Sequence, residues 1–80
     1  MSAAKAGLRQ LDARGLRCPL PVLKTRKALK AMAGGEEIEV LADDPAAIID
    51  MRHFCAAAGH RLLHWEEMSG VLRFRLAKGN

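Results

Sequence analysis

Turn-forming residues recur at regular intervals along this chain, and their spacing limits the fold more than any other feature of the sequence. Gly15, Gly34-Gly35, Asp44-Pro45, Gly59 and Gly70 each stand where a segment of regular hydrophobic pattern begins or ends. None of the intervening segments approaches the roughly 20 apolar residues that a membrane-spanning helix needs. The sequence therefore predicts a domain of short strands and short helices.

The first half of the chain predicts a helix between two strands. Leu8 to Ala13 predicts a first strand, and Glu37 to Ala42 predicts a second, because apolar and polar residues alternate along the latter. Between them, Pro19 to Ala33 predicts a helix that ends at two glycines. Its apolar or small residues recur at helical spacing and form one stripe, which consists of Val22, Thr25, Leu29 and Met32.

The second half of the chain predicts another helix, followed by a hairpin. Asp44 supplies an N-cap for a helix over Pro45 to Ala58, with proline at the first helical position. Segments His60 to Glu67 and Val71 to Ala77 flank a short turn at residues 68–70. This arrangement predicts an antiparallel pair of strands.

The element order β-α-β-α-β-β defines the expected fold class. Strand–helix–strand crossovers are right-handed, so both helices lie on the same side of the sheet. We expect an α+β fold, a two-layer α/β sandwich in which two helices cover one face of a four-stranded mixed sheet. Residues 1–80 should form a single domain, with residues 1–7 flexible. The other face stays open, with outward side chains at Glu37, Glu39, Arg73 and Arg75.

Targeting signals and cysteine usage bear on where the chain works. The sequence has neither an apolar signal-peptide core nor a transmembrane stretch, so we expect a cytoplasmic protein without membrane attachment. The two cysteines form no CxxC pair, and no Cys/His spacing suits a zinc site. His60 and His64 would lie ~13 Å apart on a strand, too far to share one metal ion. We therefore expect no metal and no cofactor.

Cys18 is the candidate nucleophile because it stands at the predicted start of the first helix, in the segment Gly15-Leu16-Arg17-Cys18-Pro19-Leu20-Pro21. If Pro19 is the first helical residue, Cys18 is the N-cap, where free backbone amides and the helix dipole favour a thiolate. Pro19 and Pro21 fix the backbone there without adding amides that need a partner. The pattern predicts an activated, exposed thiol.

The sequence around Cys18 predicts a lowered thiol pKa. The amides of Leu20 and Val22 remain as donors to the sulfur, and supporting positive charge comes from Arg14, Arg17 and Lys24. No histidine, asparagine or aspartate is spaced to complete a hydrolase triad. A lone activated thiol suits transfer of a group between proteins, whereas the alternative is a buried structural cysteine.

Three sequence features together resemble the TusA/SirA-like sulfur-carrier family. They are Cys18-Pro19-Leu20-Pro21, which is a CPxP motif, then Ala42-Asp43-Asp44-Pro45-Ala46, and then Phe54-Cys55. The resemblance runs along nearly the whole chain. It implies that Cys18 accepts a persulfide from a cysteine desulfurase or a rhodanese-like donor and relays the sulfur to a downstream acceptor protein.

The resemblance leaves the pathway open. Family members supply sulfur for 2-thiouridine in tRNA, for dissimilatory sulfur oxidation, or for the molybdenum cofactor. Position 20 is leucine, where some members that serve tRNA thiolation carry an acid. We expect a monomer that acts as a sulfurtransferase-type carrier, rather than as a stand-alone turnover enzyme, and that makes no direct contact with nucleic acid.

Side chains near Cys18 are candidate contacts for a partner protein. The chain has a net charge of +4, and its positive charge is concentrated near Cys18 and on the segment after it. This distribution favours an acidic partner. A solvated helix face without any partner is the alternative. The candidate contacts are Leu20, Arg26, Lys27, Lys30 and, from the family resemblance, Asp43.

Two further function classes compete with the sulfur-carrier hypothesis. A small basic domain with an open sheet could bind RNA, although only Trp65 could supply an aromatic platform there. A redox role would need Cys55 as a resolving thiol for Cys18. Cys55 instead shares a helical stripe with other apolar residues, which predicts a structural role; they are Ile48, Met51, Phe54 and Ala58.

Overall fold

A computed structural model of the chain describes residues 8–79, and these residues follow the predicted β-α-β-α-β-β order. Residues 1–7, expected to be flexible, lie outside the described residues. No helix among residues 8–79 combines the length and the apolar character needed to cross a membrane. The elements are β1 (Leu8–Asp12), α1 (Leu20–Lys30), β2 (Glu37–Ala42), α2 (Ala47–Ala58), β3 (Arg61–Met68) and β4 (Val71–Ala77).

Both helices are shorter than predicted, and local turns explain the difference. At the start of α1, the amide of Leu20 donates to the carbonyl of Arg17 over 2.7 Å, so a tight turn precedes the helix. At its end, the amides of Ala31 and Met32 donate three residues back, which tightens the last turn instead of extending it. A similar turn at residues 44–47 delays α2 until after Pro45.

The four strands form one mixed sheet in the order β1-β2-β4-β3. β1 pairs parallel to β2, and β4 pairs antiparallel to both β2 and β3. The β3–β4 turn has positive φ at both central residues, 53° at Ser69 and 82° at Gly70. Such a turn matches the right-handed twist of the two strands, which explains why a Ser-Gly pair closes this hairpin.

The core lies between the sheet and the two helices. β2 and β4 contribute fully buried side chains, among them Val40 and Phe74 at 0% exposure. The predicted stripe of α1 is confirmed at Thr25, Leu29 and Met32, while Val22 is half-buried. α2 adds a second buried row, which consists of Ala47, Met51 and Cys55.

The open face of the sheet carries a charged network rather than freely solvated side chains. Glu39 lies on this face as predicted, yet it is only 8% exposed because its neighbours cover it. Gln10 donates to Glu39 Oε1 over 2.9 Å, and Arg73 and Arg75 approach Oε2 at 3.7 and 3.9 Å. Arg75 also reaches Glu37 at 3.9 Å. Ion pairs therefore link β2 and β4 across the open face.

Candidate functional site

The candidate site forms where two parallel strands end at the same edge of the sheet. Because β1 and β2 run parallel, the loops that follow them leave the sheet side by side. The amide of Ala13 extends the pairing by donating to the carbonyl of Leu41 over 2.8 Å. Cys18 lies in the loop after β1, and Asp43 and Asp44 lie in the loop after β2. The fold thus places two segments that are distant in sequence next to each other.

Asp43 and Asp44 hold the cysteine loop through its backbone. Both carboxylate oxygens of Asp43 accept a hydrogen bond from the amide of Gly15, at 3.0 and 3.1 Å. Asp44 Oδ2 accepts one from the amide of Cys18 at 2.8 Å. Its other oxygen accepts the amide of Ala46 at 3.0 Å, in the turn before α2. Asp44 therefore ties the cysteine to the start of α2.

These contacts revise what was predicted for the two aspartates. Asp44 was expected to be a helix N-cap, but α2 begins at Ala47 without a side-chain cap, and Asp44 bridges two segments. The two backbone amides, the one of Cys18 first, hold the pKa of Asp44 below its usual value, and positive charge on Arg17 adds to the shift. Asp43 is exposed, as a partner contact would need to be, but its oxygens already serve the loop.

Cys18 is exposed, as predicted, but its acidity differs from the prediction. The pKa of the Cys18 thiol is raised, and the carboxylate of Asp50 is the largest cause. Partial burial and the negative charges of Asp50 and Asp44 act in the same direction. The predicted lowering of the Cys18 pKa is therefore wrong in the free chain.

Two of the cations that were expected to lower the pKa of Cys18, Arg14 and Lys24, instead bind Asp12. Arg14 forms two hydrogen bonds with the carboxylate of Asp12, at 2.9 and 3.0 Å, and Lys24 donates to the Asp12 carbonyl at 2.8 Å. Hydrogen bonds from Arg14, with the side-chain contact the largest, lower the pKa of Asp12 to about 2. Arg17 is exposed and lines an open hollow beside Asp44. Arg14 and Lys24 thus support the end of β1 rather than the thiol.

The helix-start geometry around Cys18 also differs from the prediction. The N-cap of α1 is Pro19, so Cys18 precedes the cap by one residue. The Leu20 amide, predicted to face the sulfur, donates to the Arg17 carbonyl instead. Pro21 is buried beneath the first turn, while Pro19 is exposed. The two prolines shape the turn, but the thiol is not an N-cap.

An apolar and cationic surface lies next to Cys18 on α1. Leu20 and Leu23 are each 48% exposed and lie off the buried stripe of α1. The predicted cations Arg26, Lys27 and Lys30 are exposed as well. Within residues 8–79 none of these three cations forms an ion pair. They are therefore available to a partner.

Cys55 lies in the core, as its helical stripe predicted. It is 3% exposed, and burial raises its thiol pKa to about 11. Both cysteines are free thiols. A thiol so buried cannot meet a partner protein or resolve a disulfide at the surface without opening the core.

Asp50 is the site residue that sequence reasoning missed. It lies in the first turn of α2, where an acid is favoured by the helix dipole and so attracts no special attention. Its only signal in the sequence is that it follows Asp44 closely, near the start of the second helix. The contact between the Cys18 amide and Asp44 brings the cysteine loop to the start of the second helix, where Asp50 raises the pKa of the thiol.

Trp65, the candidate aromatic platform, does not lie on the open face of the sheet. Trp65 pairs across the strands with Phe74, and the two ring centroids are 6.4 Å apart. Because Phe74 is a core residue, Trp65 lies on the helix side of the sheet. Among the described residues, Arg73 and Arg75 of the open face are paired with glutamates.

Comparisons with known proteins point to one family. The family model described as sulfurtransferase TusA matches residues 9–78. The chain is 39% identical over 69 residues to the sulfur carrier protein TusA of Allochromatium vinosum, covering 86% of this chain and 91% of that protein. It also resembles the crystal structure of a SirA-like protein from Desulfitobacterium hafniense, with a TM-score of 0.78 and 25% identity. That match covers 91% of this chain and 99% of the other.

Proposed function

The chain belongs to the TusA family of sulfur carriers, and we propose that Cys18 is the residue on which it carries sulfur. One observation carries this assignment: of the two thiols, only Cys18 is exposed, and Asp44 fixes its backbone at the end of the sheet. The carrier works through transient contacts with a sulfur donor and a sulfur acceptor. A thiol at the surface meets that need, whereas a core thiol does not.

The proposed transfer conserves atoms and electrons without an added oxidant. The donor presents a cysteine persulfide, R–S–SH, and Cys18 Sγ attacks its outer sulfur as the thiolate. The donor S–S bond breaks, its electron pair stays on the donor sulfur, and the proton lost by Cys18 ends on that leaving thiolate. Cys18 then holds the persulfide, and attack by an acceptor thiol on its outer sulfur repeats the exchange in the forward direction.

The partners are proposed from chemistry and from the family. A cysteine desulfurase or a rhodanese-like protein supplies the sulfur, and a second protein removes it, for tRNA thiolation, sulfur oxidation or molybdenum-cofactor supply. Leu20 and Leu23 beside the thiol support an apolar contact with these proteins. The free cations of α1, which are Arg26, Lys27 and Lys30, support an acidic partner surface around it. We propose that the carrier works as a cytoplasmic monomer.

The test of Cys18 is a sulfur-loading assay read by intact mass. The chain is incubated with a cysteine desulfurase and cysteine, and we expect a gain of one sulfur atom that dithiothreitol removes. Cys18→Ser should abolish the gain, because the serine hydroxyl cannot form a persulfide. Cys55→Ser is the matched control and should retain it. A gain of sulfur on the Cys18→Ser chain would defeat the assignment.

A further inference from the structure

Packing does not fix the position of Cys18. Its side chain is exposed, and so is the side chain of Pro19, which follows it. Cys18 also lies outside α1, one residue before the N-cap of that helix, so the helix does not set its backbone. A residue outside both the core and the helices keeps one orientation only if hydrogen bonds hold it. The orientation of Cys18 therefore depends on the hydrogen bonds of its loop.

Two hydrogen bonds restrain the backbone at Cys18. The amide of Leu20 donates to the carbonyl of Arg17 over 2.7 Å, and this bond closes a turn that contains Cys18. The amide of Cys18 itself donates to Asp44 Oδ2 over 2.8 Å. The first bond is local and moves with the loop, whereas the second joins the loop to a segment 26 positions away. Of these two bonds, only the one to Asp44 orients Cys18 relative to the rest of the domain.

Asp44 is itself anchored to the core. Its other carboxylate oxygen accepts the amide of Ala46 over 3.0 Å, and its backbone carbonyl accepts the amide of Ala47 over 2.9 Å. Ala47 is the first residue of α2 and is only 1% exposed. The buried start of α2 therefore fixes the carboxylate that holds the amide of Cys18.

We propose that Asp44 is a positioning residue, which orients the Cys18 sulfur for transfer by joining its backbone amide to the start of α2. This inference rests on the proposed sulfur-carrier function and deepens it. A tethered loop keeps the sulfur near the direction from which it attacks the donor persulfide, whereas a loose loop samples many unproductive directions. The exchange itself is unchanged. The donor S–S bond breaks, a new S–S bond forms at Cys18, and the proton of Cys18 passes to the leaving sulfur.

Asp43 and Asp44 differ in the number of amides that they hold, and this difference makes the proposal testable. Asp44 uses its two oxygens for two amides, those of Cys18 and Ala46, while Asp43 uses both oxygens for the single amide of Gly15. Asparagine offers one oxygen and an NH₂ group that cannot accept. Asp44→Asn must therefore release one amide. Because Asx turns form within a few residues, the local bond to Ala46 should persist and the distant one to Cys18 should be lost.

The test measures sulfur loading by intact mass. A cysteine desulfurase that carries a persulfide is mixed in excess with the chain, and the gain of one sulfur is timed over a range of desulfurase concentrations. In Asp44→Asn, we expect the rate at saturating desulfurase to fall about tenfold, because loss of orientation slows a transfer between bound reactants. The concentration that gives half of the maximal rate should not change, since the exposed surface of α1 is intact.

Alkylation of the same variant by iodoacetamide separates orientation from acidity. This small reagent approaches an exposed thiol from many directions, so a loose loop should not slow it. The negative charge of Asp44 contributes to the raised pKa of Cys18, so Asp44→Asn should be alkylated at Cys18 at least as fast as the parent chain. The expected result is slower sulfur loading with undiminished alkylation. Protection of Cys55 in the same digest shows that the core stays closed.

Two further variants make the result specific to the bond between Asp44 and Cys18. Asp43→Asn keeps an acceptor for its single amide, so the saturating rate should fall much less than in Asp44→Asn. Glu37→Gln removes a carboxylate at the opposite end of β2 and should load sulfur as the parent chain does.

Three outcomes in Asp44→Asn would overturn the proposal. They are a saturating rate equal to that of the parent chain, slower alkylation of Cys18, and loss of the protection of Cys55. A parent chain that gains no sulfur from the desulfurase would instead overturn the carrier function, and this inference with it.

Discussion

Cys18 and Cys55 carry the same thiol, and both have a raised pKa, but the fold raises the two for different reasons. At Cys18, which is exposed, the largest cause is the Asp50 carboxylate. At Cys55 the cause is burial, which raises the pKa to about 11. Access to a partner therefore separates the two thiols, whereas the direction of the pKa shift does not.

The two causes also differ in how they can be removed. Neutralising the Asp50 carboxylate would remove the largest cause of the raised pKa at Cys18. Burial of Cys55 among the core residues can be removed only by opening the packing between α2 and the sheet. The raised pKa of Cys18 therefore depends mainly on one carboxylate, while that of Cys55 depends on core packing.

Alkylation should show the largest contrast between the two thiols. With iodoacetamide at pH 8, Cys18 should be modified in the native chain, and Cys55 should react more than about a thousandfold more slowly. The factor follows from the several kcal/mol that opening a domain core costs. Peptide mapping after timed quenching measures both rates in one sample.

Urea supplies the control for this contrast. In denaturant the core is open, so the two cysteines should react at similar rates. If Cys55 reacts in the native chain at a rate near that of Cys18, the core around α2 is not closed, and the comparison between the two thiols fails.

Serine substitution should produce the next largest effect. Cys55→Ser places a hydroxyl in the apolar core, and we expect the free energy of unfolding to fall by about 1–3 kcal/mol. Cys18→Ser changes an exposed side chain and should leave the urea midpoint where it is. Equilibrium urea unfolding followed by tryptophan fluorescence compares the two variants. Equal destabilisation by both would mean that the loop of Cys18 contributes to the core.

The sequence predicted the fold nearly completely because each element is locally encoded. Alternation marks β2, the Ser-Gly turn marks the final hairpin, and a three-four spacing marks the buried side of α1. The predicted ends of the helices were less accurate. The turns before Leu20 and Ala47 are fixed by hydrogen bonds, which hydrophobic periodicity does not reveal.

The site was predicted only in part because its electrostatics depend on contacts between distant segments. The exposed Cys18 and the exposed cations of α1 followed from local pattern. The sign of the thiol pKa shift did not, because sequence proximity counted Arg14 and Lys24 as neighbours of the sulfur. The fold turns both toward Asp12, and Asp50, which lies 32 positions beyond Cys18, raises the pKa of the thiol.

Acid titration should produce the smallest effect and should again separate the two thiols. The folded pKa of Asp44 is below its usual value of about 3.9, mainly because the Cys18 amide donates to it. A depressed carboxyl pKa stabilises the fold above the unfolded pKa, and that contribution is lost as pH falls through the folded pKa. Below about pH 4, we therefore expect the amide resonance of Cys18 to shift with the protonation of Asp44. The amide of Cys55, within α2, should not follow it.

Asp44→Asn makes the origin of that titration visible. Asparagine keeps one carbonyl oxygen as an acceptor but does not ionise, so the Cys18 amide should stop titrating below pH 4 while the chain stays folded. Two-dimensional ¹H–¹⁵N spectra between pH 6 and pH 2 measure both amides at once. If the Cys18 amide still titrates in Asp44→Asn, another acid holds the loop. If the Cys55 amide titrates together with it in the parent chain, protonation of Asp44 loosens the whole of α2, and the exposed thiol is not held separately from the buried one.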